Sequence, residues 1–331
     1  MKRIKVGLDN YCLFPKNMMP GEIIDWASVN GAEGVAFSGF EDKLREKFTT
    51  AYLQDIRKKT EDLSIYLEWG NGQHVPRDLT SFSKKEIFES NRKAVVEASA
   101  LGARIIRSCS GGLMRWKPDA PDTEVFLKES AAELKKHASM FRDNGVVLAI
   151  ETHFEFTTFE LLRLFEMCEA EPGDWLGICL DTMNLLTMLE DPLSATERVL
   201  PWIVSTHIKD GGIISADNGI TTFPAAFGAG IIDFNSIFKK LQSLGKEINL
   251  SVETHGGSFF LPVNENWFIN RFPDLSAEEH NRLLNLAEET SYKMIKGKLK
   301  ITERNDWPLI CEERTIADIR NLKNLRNRIL N

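Results

Sequence analysis

The sequence lacks the short signatures that settle a protein's chemistry at a glance. Its five cysteines, Cys12, Cys109, Cys168, Cys179 and Cys311, are odd in number and widely scattered. Neither a disulfide framework nor a CxxC zinc or redox site is expected, and the thiols read as reduced and mostly buried. No GxGxxG follows the first apolar run and no GxxxxGK[ST] occurs, which removes the dinucleotide fingerprint and the P-loop. The glycine pairs Gly111-Gly112 and Gly228/Gly230 fall in later loops, outside that context. No stretch of about 18 apolar residues is present, so no membrane partner is expected. Residues 1–12 run straight into a strand pattern without a signal-type apolar core, so the expected compartment is cytoplasmic. Positive charge is also short: 41 Lys+Arg against 48 Asp+Glu leave a net charge of −7. That balance gives no bulk attraction for a phosphate polymer, and nucleic acid is not an expected partner.

What is present is an ordinary globular composition, 43% hydrophobic and 27% charged over 331 residues, which excludes disorder, collagen and coiled coil. Eight short apolar, β-branched runs recur: 4–8, 34–37, 64–68, 104–108, 146–151, 176–181, 203–208 and 248–253. Stretches with helical spacing separate them, among them 20–30, 84–101, 124–144, 158–170, 192–200 and 234–244. Several stop at a helix-ending glycine, as in Leu101-Gly102 and Asn144-Gly145. Alternating βα units require parallel strands with right-handed crossovers, and eight of them close most economically into an α/β (β/α)8 TIM barrel. An open doubly wound sheet is the alternative.

The pattern changes after the eighth run, giving an expected division into a barrel at 1–257 and a C-terminal helical extension at 258–331. Residues 258–273 are aromatic and irregular, and Ser276-Ala277-Glu278-Glu279 then has capping-box spacing for a helix able to close the barrel. A final amphipathic stretch places Ile316, Ile319, Leu322, Leu325 and Ile329 on one face, which needs either the chain's own barrel or a second subunit.

The chemistry-bearing feature is the ends of the last four runs: Glu151-Thr152-His153, Asp181-Thr182-Met183-Asn184, His207-Ile208-Lys209-Asp210 and Glu253-Thr254-His255. In a closed parallel barrel all strand C-termini converge on one face, which brings Glu151, Asp181, His207 and Glu253 into a common mouth. Three carboxylates sharing a small volume repel one another unless protonated or bridged by a cation. An oxygen-rich set with one imidazole suits Mn²⁺ best, with Mg²⁺, Co²⁺ or Zn²⁺ as alternatives.

Residues 4–257 resemble the xylose isomerase-like TIM barrels, a family that includes sugar isomerases and epimerases, inosose dehydratase and endonuclease IV. The resemblance rests on Glu151, on Leu180-Asp181-Thr182-Met183-Asn184, on His207-Ile208-Lys209-Asp210, on Gly228-Ala229-Gly230-Ile231-Ile232-Asp233-Phe234 and on Glu253. It implies one catalytic divalent metal on Glu151, Asp181, His207 and Glu253. It also implies an acid/base duty for Glu151 and Glu253 in isomerising or epimerising a small carbohydrate through a metal-stabilised enediolate. Asn184 departs from some ketose epimerases, which carry a histidine there. The extra histidines of endonuclease IV are missing too, since the third and fourth runs end in Glu68-Trp69 and Arg107-Ser108-Cys109.

The same parts serve a lyase that eliminates a β substituent from a 3-oxo sugar or glycoside, for which His153 or His255 is a candidate extra base. Glu68, Arg107, Lys209, His255 and Trp116 are candidate substrate contacts; Lys209 alternatively neutralises the carboxylate cluster or pairs with Asp210, and Arg107 and Glu68 alternatively are buried partners of each other or of neighbours. His74, His137 and His280 read as loop or helix-surface residues. The expected partners are a carbohydrate and either a second copy of the chain or a small subunit. A non-catalytic sugar-binding barrel is the rival of a different kind, against which the intact Glu151 and Glu253 speak.

Overall fold

The structure, a computed structural model, describes residues 4–110 and 112–330; Gly111 of the Gly111-Gly112 pair lies outside the described residues. Eight parallel strands close into a barrel: β1 (Val6–Asp9), β2 (Gly34–Ala36), β3 (Tyr66–Gly72), β4 (Ile105–Ser108), β5 (Val147–Glu151), β6 (Leu176–Asp181), β7 (Ile203–Ile208) and, after an excursion, β10 (Leu250–Val252). Each pairs with its neighbour in sequence, and β10 closes the ring between β7 and β1. The strands read as continuous apolar runs because helices cover them from outside while side chains fill the lumen. All six residues of β6 are buried.

The excursion is a hairpin, β8 (Asp210–Ala216) and β9 (Gly219–Ala225), joined by β11 (Phe259–Leu261) into a three-stranded antiparallel sheet beside the barrel. The principal helices are α1 (Pro20–Val29), α2 (Thr50–Asp62), α3 (Phe88–Leu101), α4 (Thr123–Leu134), α5 (Thr158–Met167), α6 (Pro192–Val199), α7 (Phe234–Ser243), α8 (Ala277–Ile295) and α9 (Trp307–Leu330). Helix α3 ends on Gly102 at φ 70, a left-handed position that glycine adopts without a Cβ penalty.

Three details differ from the sequence pattern. Strand β3 runs past residue 68 to Gly72, so Glu68 sits inside the barrel rather than at its rim. The helical stretch 124–144 is broken by a 3₁₀ turn at Lys135–His137. Helix α8, capped by Ser276 on the Glu279 amide, packs on β8 instead of closing the barrel. Closure falls to α9, which lies on β1, β10 and α7 with Ile319, Leu322 and Leu325 buried. The apolar stripe of the last helix therefore has its partner within the chain.

Candidate active site

The four strand-end residues meet at the barrel mouth. Glu151 and Asp181 are the last residues of β5 and β6, His207 stands one residue before the end of β7, and Glu253 follows β10. Register sets Asp181 beside His207. One ligand-type atom from each of the four lies within 4.8 Å of the others, in a group able to hold a metal ion. Their exposures are 3%, 0%, 1% and 5%, so none is a solvated strand end.

The rim is stitched by the threonines that follow the carboxylates. Thr152 Oγ1 donates to the Asp181 carbonyl at 3.0 Å and accepts the Asp181 amide at 2.8 Å. Thr182 Oγ1 repeats this on Lys209, at 2.8 and 3.0 Å. Backbone positions that carry the donors are thereby fixed against their neighbours, which preorganises the site.

Three of the candidate ligands use one side-chain atom on the protein and leave another facing inward. Asp181 Oδ1 accepts the amides of Met183 and Asn184 at 3.0 and 2.9 Å. Glu151 Oε1 accepts Asn184 Nδ2 at 3.2 Å. His207 Nε2 faces Asp9 Oδ2 at 3.3 Å. Glu151 Oε2, Asp181 Oδ2, His207 Nδ1 and Glu253 Oε2 are buried, and the three carboxylate oxygens are met by Arg107 and Lys209 rather than by neutral hydrogen-bond donors. Three buried carboxylates and an imidazole gathered so closely need positive charge among them, and such a donor set fits a divalent cation.

Cations of the chain already stand close to three of these atoms. Lys209 Nζ lies 2.9 Å from Asp181 Oδ2 and in contact with Glu253 Oε2, and Arg107 Nη2 lies 2.6 Å from Glu151 Oε2. Burial favours the neutral acids, but Lys209, His255 and His207 hold Glu253 down at about 2, and Arg107 and His207 hold Glu151 well below the usual carboxylate range. Asp181 goes the other way, up to about 7, because burial and the charges of Glu253 and Glu151 outweigh Lys209. Burial pushes His207 toward its neutral form, yet Cys179, Glu151 and Asp9 raise it well above the ordinary imidazole value.

Similarity to known proteins gives the family. Residues 24–284 match the family described as xylose isomerase-like TIM barrel. The chain belongs to that family. A 3-oxo-isoapionate decarboxylase of Pectobacterium atrosepticum is 24% identical over 257 residues, 75% of this chain and 84% of the relative. The fold is shared with a D-allulose 3-epimerase from Methylomonas sp., at 17% identity and TM-score 0.59 over 90% of this chain and 99% of that one. It is shared also with the probable 3-DHS dehydratase of petrobactin synthesis from Bacillus anthracis, at 18% identity and TM-score 0.59 over 76% and 93%.

Glu151 and Glu253 of the four line a cavity of about 440 Å³, together with Tyr11, Arg107, Cys109, His153, Asn184, His255, Phe259 and Arg304 among others. Such a volume suits a small molecule. A larger cavity of about 880 Å³ lies near α7, α8 and α9 around Asp210. The Asp210 carboxylate is already engaged by the amides of Gly211, Gly228, Gly230 and Ile232. The smaller cavity is the candidate active site of this family member.

Beside the four ligands stands a second set, Cys109, His153 and Glu155. His153 Nδ1 lies 3.0 Å from Glu155 Oε2, whose other oxygen accepts the Gly112 amide at 3.2 Å. Burial opposes charge on both, but Cys109 and Glu155 raise His153 well above its ordinary value, and His153 lowers Glu155 to about 2. His255, by contrast, is pushed down to about 4 by burial and Lys209.

The structure corrects several expectations. Of the alternatives for Lys209, it neutralises the carboxylate cluster, through Asp181 and Glu253, and does not pair with Asp210. Glu68 and Arg107 are partners of neighbours and not of each other: Arg107 meets Glu151, while Glu68 accepts Ser205 Oγ, and Asn249 Nδ2 at 3.3 Å, below the mouth. Trp116 is packed between Phe154 and Phe268, with Nε1 donating to the Phe260 carbonyl at 3.0 Å, and does not line the cavity. His74 lies in a loop but is fully buried, and His137 is buried rather than on a helix surface. Sequence pattern alone missed Asp9, Tyr11, Glu155 and Arg304. Asp9 alone had a visible signal, a ligand-type residue ending the first apolar run as the other four end theirs.

Proposed function

We propose that the chain is a divalent-metal-dependent carbohydrate isomerase or epimerase that moves a proton at the carbon beside a carbonyl group. The observation that carries this reading is the clustering of Glu151, Asp181, His207 and Glu253, all buried, each with a ligand-type atom within 4.8 Å of the others. These four atoms would hold the ion, for which Mn²⁺ is our choice on the oxygen-rich donor set, ahead of Mg²⁺, Co²⁺ and Zn²⁺. When bound, such an ion supplies Lewis acidity toward adjacent carbonyl and hydroxyl oxygens.

The chain's own residues do the rest. Around the barrel, Glu253 after β10 and Glu151 on β5 flank the Asp181–His207 pair. A sugar carbon over that pair has a carboxylate on each side. Glu253, held ionised, takes the proton from carbon. Its return by the same carboxylate to the neighbouring carbon, with the hydroxyl proton passing to the former carbonyl oxygen, gives isomerisation; delivery to the opposite face from Glu151, once that carboxylate has taken up a proton from solvent, gives epimerisation. Arg107 and Asn184 hold Glu151 in place for this, while Lys209 and His255 line the wall that meets the substrate hydroxyls.

A second reading is a lyase acting on an oxidised sugar. His153 favours it, because it lines the cavity with its Nδ1 oriented by Glu155, the arrangement a departing oxygen needs from a general acid. The names of the decarboxylase relative and the dehydratase neighbour run in the same direction.

Solvent-deuterium exchange followed by NMR separates the readings, using Mn²⁺-loaded protein on a panel of ketoses and 3-oxo-glycosides, with Glu253→Gln as control. Deuterium at carbon in a recovered isomer or epimer, lost in the variant, supports the first reading. Exchange with release of water or an aglycone supports the second. No exchange across the panel contradicts both and leaves a sugar-binding barrel.

A further inference from the structure

We propose that Arg304 and Tyr11 form an anion subsite at the cavity rim, which selects carbohydrates bearing a carboxylate, that is, sugar acids; this rests on the carbohydrate reading above. Three cationic side chains of Lys or Arg line the cavity. Arg107 is matched by Glu151 at 2.6 Å and Lys209 by Asp181 at 2.9 Å. Arg304 has no carboxylate partner among the described residues. Its Nη2 donates to the Tyr11 hydroxyl at 3.2 Å and its Nη1 faces the Gly256 carbonyl at 3.5 Å.

The placement of Arg304 is built rather than incidental. It arrives from the segment between α8 and α9, beyond the barrel, and that segment is fastened at both ends. The Gly257 amide donates to the Thr302 carbonyl at 2.8 Å. Trp307, fully buried, donates Nε1 to the Cys12 carbonyl at 3.2 Å. At Gly256 a Cβ would stand 2.5 Å from the Glu303 carbonyl oxygen, so the segment's close approach requires glycine there. The guanidinium lies 5.8 Å from the centre of the Phe14 ring.

The geometry names the ligand's chemistry. Because the Tyr11 hydroxyl accepts from Arg304, its own hydrogen is free to be donated. A guanidinium with a neighbouring phenol offers a planar set of donors that suits the two oxygens of a carboxylate. One uncompensated guanidinium balances one unit of negative charge, which favours a carboxylate over a phosphate dianion. From the metal ligands the wall runs Lys209, His255 (Nε2 3.5 Å from Lys209 Nζ), Tyr11 (rings 5.6 Å apart) and Arg304. A short sugar acid spans that wall with its reactive carbons over the ligands and its carboxylate at the rim.

The test is isothermal titration of Mn²⁺-loaded protein with three open-chain probes: gluconate, glucitol and glucitol 6-phosphate. The wild-type protein is expected to bind gluconate about tenfold or more tighter than glucitol. In Arg304→Gln that preference should fall to about twofold or less, and Tyr11→Phe should lie between. Arg304 is exposed, so its variant keeps the fold, which thermal melting checks. Equal binding of gluconate and glucitol, absence of gluconate binding, or a preference that persists in Arg304→Gln overturns the subsite. Stronger binding of the phosphate ester overturns the choice of carboxylate. Carbon–deuterium exchange on neutral ketoses with no charge preference leaves the enolising reading standing and removes only this inference. A charge preference without exchange does the reverse.

Discussion

Lys209 Nζ stands 2.9 Å from Asp181 Oδ2, the one oxygen of that carboxylate not taken by the amides of Met183 and Asn184. The chain thus brings its own ammonium to the point where the candidate metal ligands converge, and it touches Glu253 there as well. Removing one partner of a buried ion cluster strands the others, at about 3–5 kcal/mol. Lys209→Met is therefore expected to lower the stability of metal-free protein by that order, as read by chemical denaturation. Added Mn²⁺ should restore most of the loss. Unchanged stability without metal would contradict the counter-ion role.

Asp9 orients His207. Its Oδ2 faces His207 Nε2 at 3.3 Å, while its Oδ1 accepts the Tyr11 amide at 2.8 Å. Asp9→Asn keeps an acceptor for that amide and removes the negative charge behind the imidazole. Partners of this kind influence metal affinity by about 10–100-fold. Calorimetric titration should show Mn²⁺ binding weakened within that range, with the melting temperature little changed; unaltered affinity would remove Asp9 from the site.

Glu155 supplies a pH signature. Its carboxyl falls from 4.5 to about 2, since His153 and the Gly112 amide outweigh burial. A depressed carboxylate contributes stability that is complete above its unfolded value and is lost as pH falls through its folded value. The gap between wild type and Glu155→Gln should therefore be full above about pH 4.5, at about 3 kcal/mol, and close as the pH approaches 2. A gap that does not depend on pH would place the effect in packing instead.

Helix α9 closes the barrel through its own apolar stripe, with Leu322 fully buried. Leu322→Ala is expected to destabilise the protein by about 2–5 kcal/mol in urea unfolding. A change below about 0.5 kcal/mol would mean that α9 is not part of the cooperative barrel.

Much of the barrel is legible in the sequence because strand and helix each leave a local period, and glycines such as Gly102 punctuate them. The β8–β9 hairpin is missed although Asp217-Asn218-Gly219 between Ile213-Ile214 and Ile220-Thr221-Thr222-Phe223 is a strong hairpin signal. A search for eight βα units passes over it. The four strand-end donors are readable because barrel topology alone brings strand C-termini together. Partners are not: whether Lys209 meets Asp210 or Asp181, and whether Arg107 meets Glu68 or Glu151, depends on side-chain direction around the closed ring. Arg304 reaches Tyr11 across 293 residues of sequence, which no local pattern encodes.

The central claim is that Glu151, Asp181, His207 and Glu253 hold one divalent ion, and anomalous diffraction from crystals grown with Mn²⁺ tests it most directly. The expected result is a single anomalous peak bound by Glu151 Oε2, Asp181 Oδ2, His207 Nδ1 and Glu253 Oε2, with the Lys209 ammonium moved away from Asp181. No peak at the barrel mouth, with Lys209 still between Asp181 and Glu253, would contradict it.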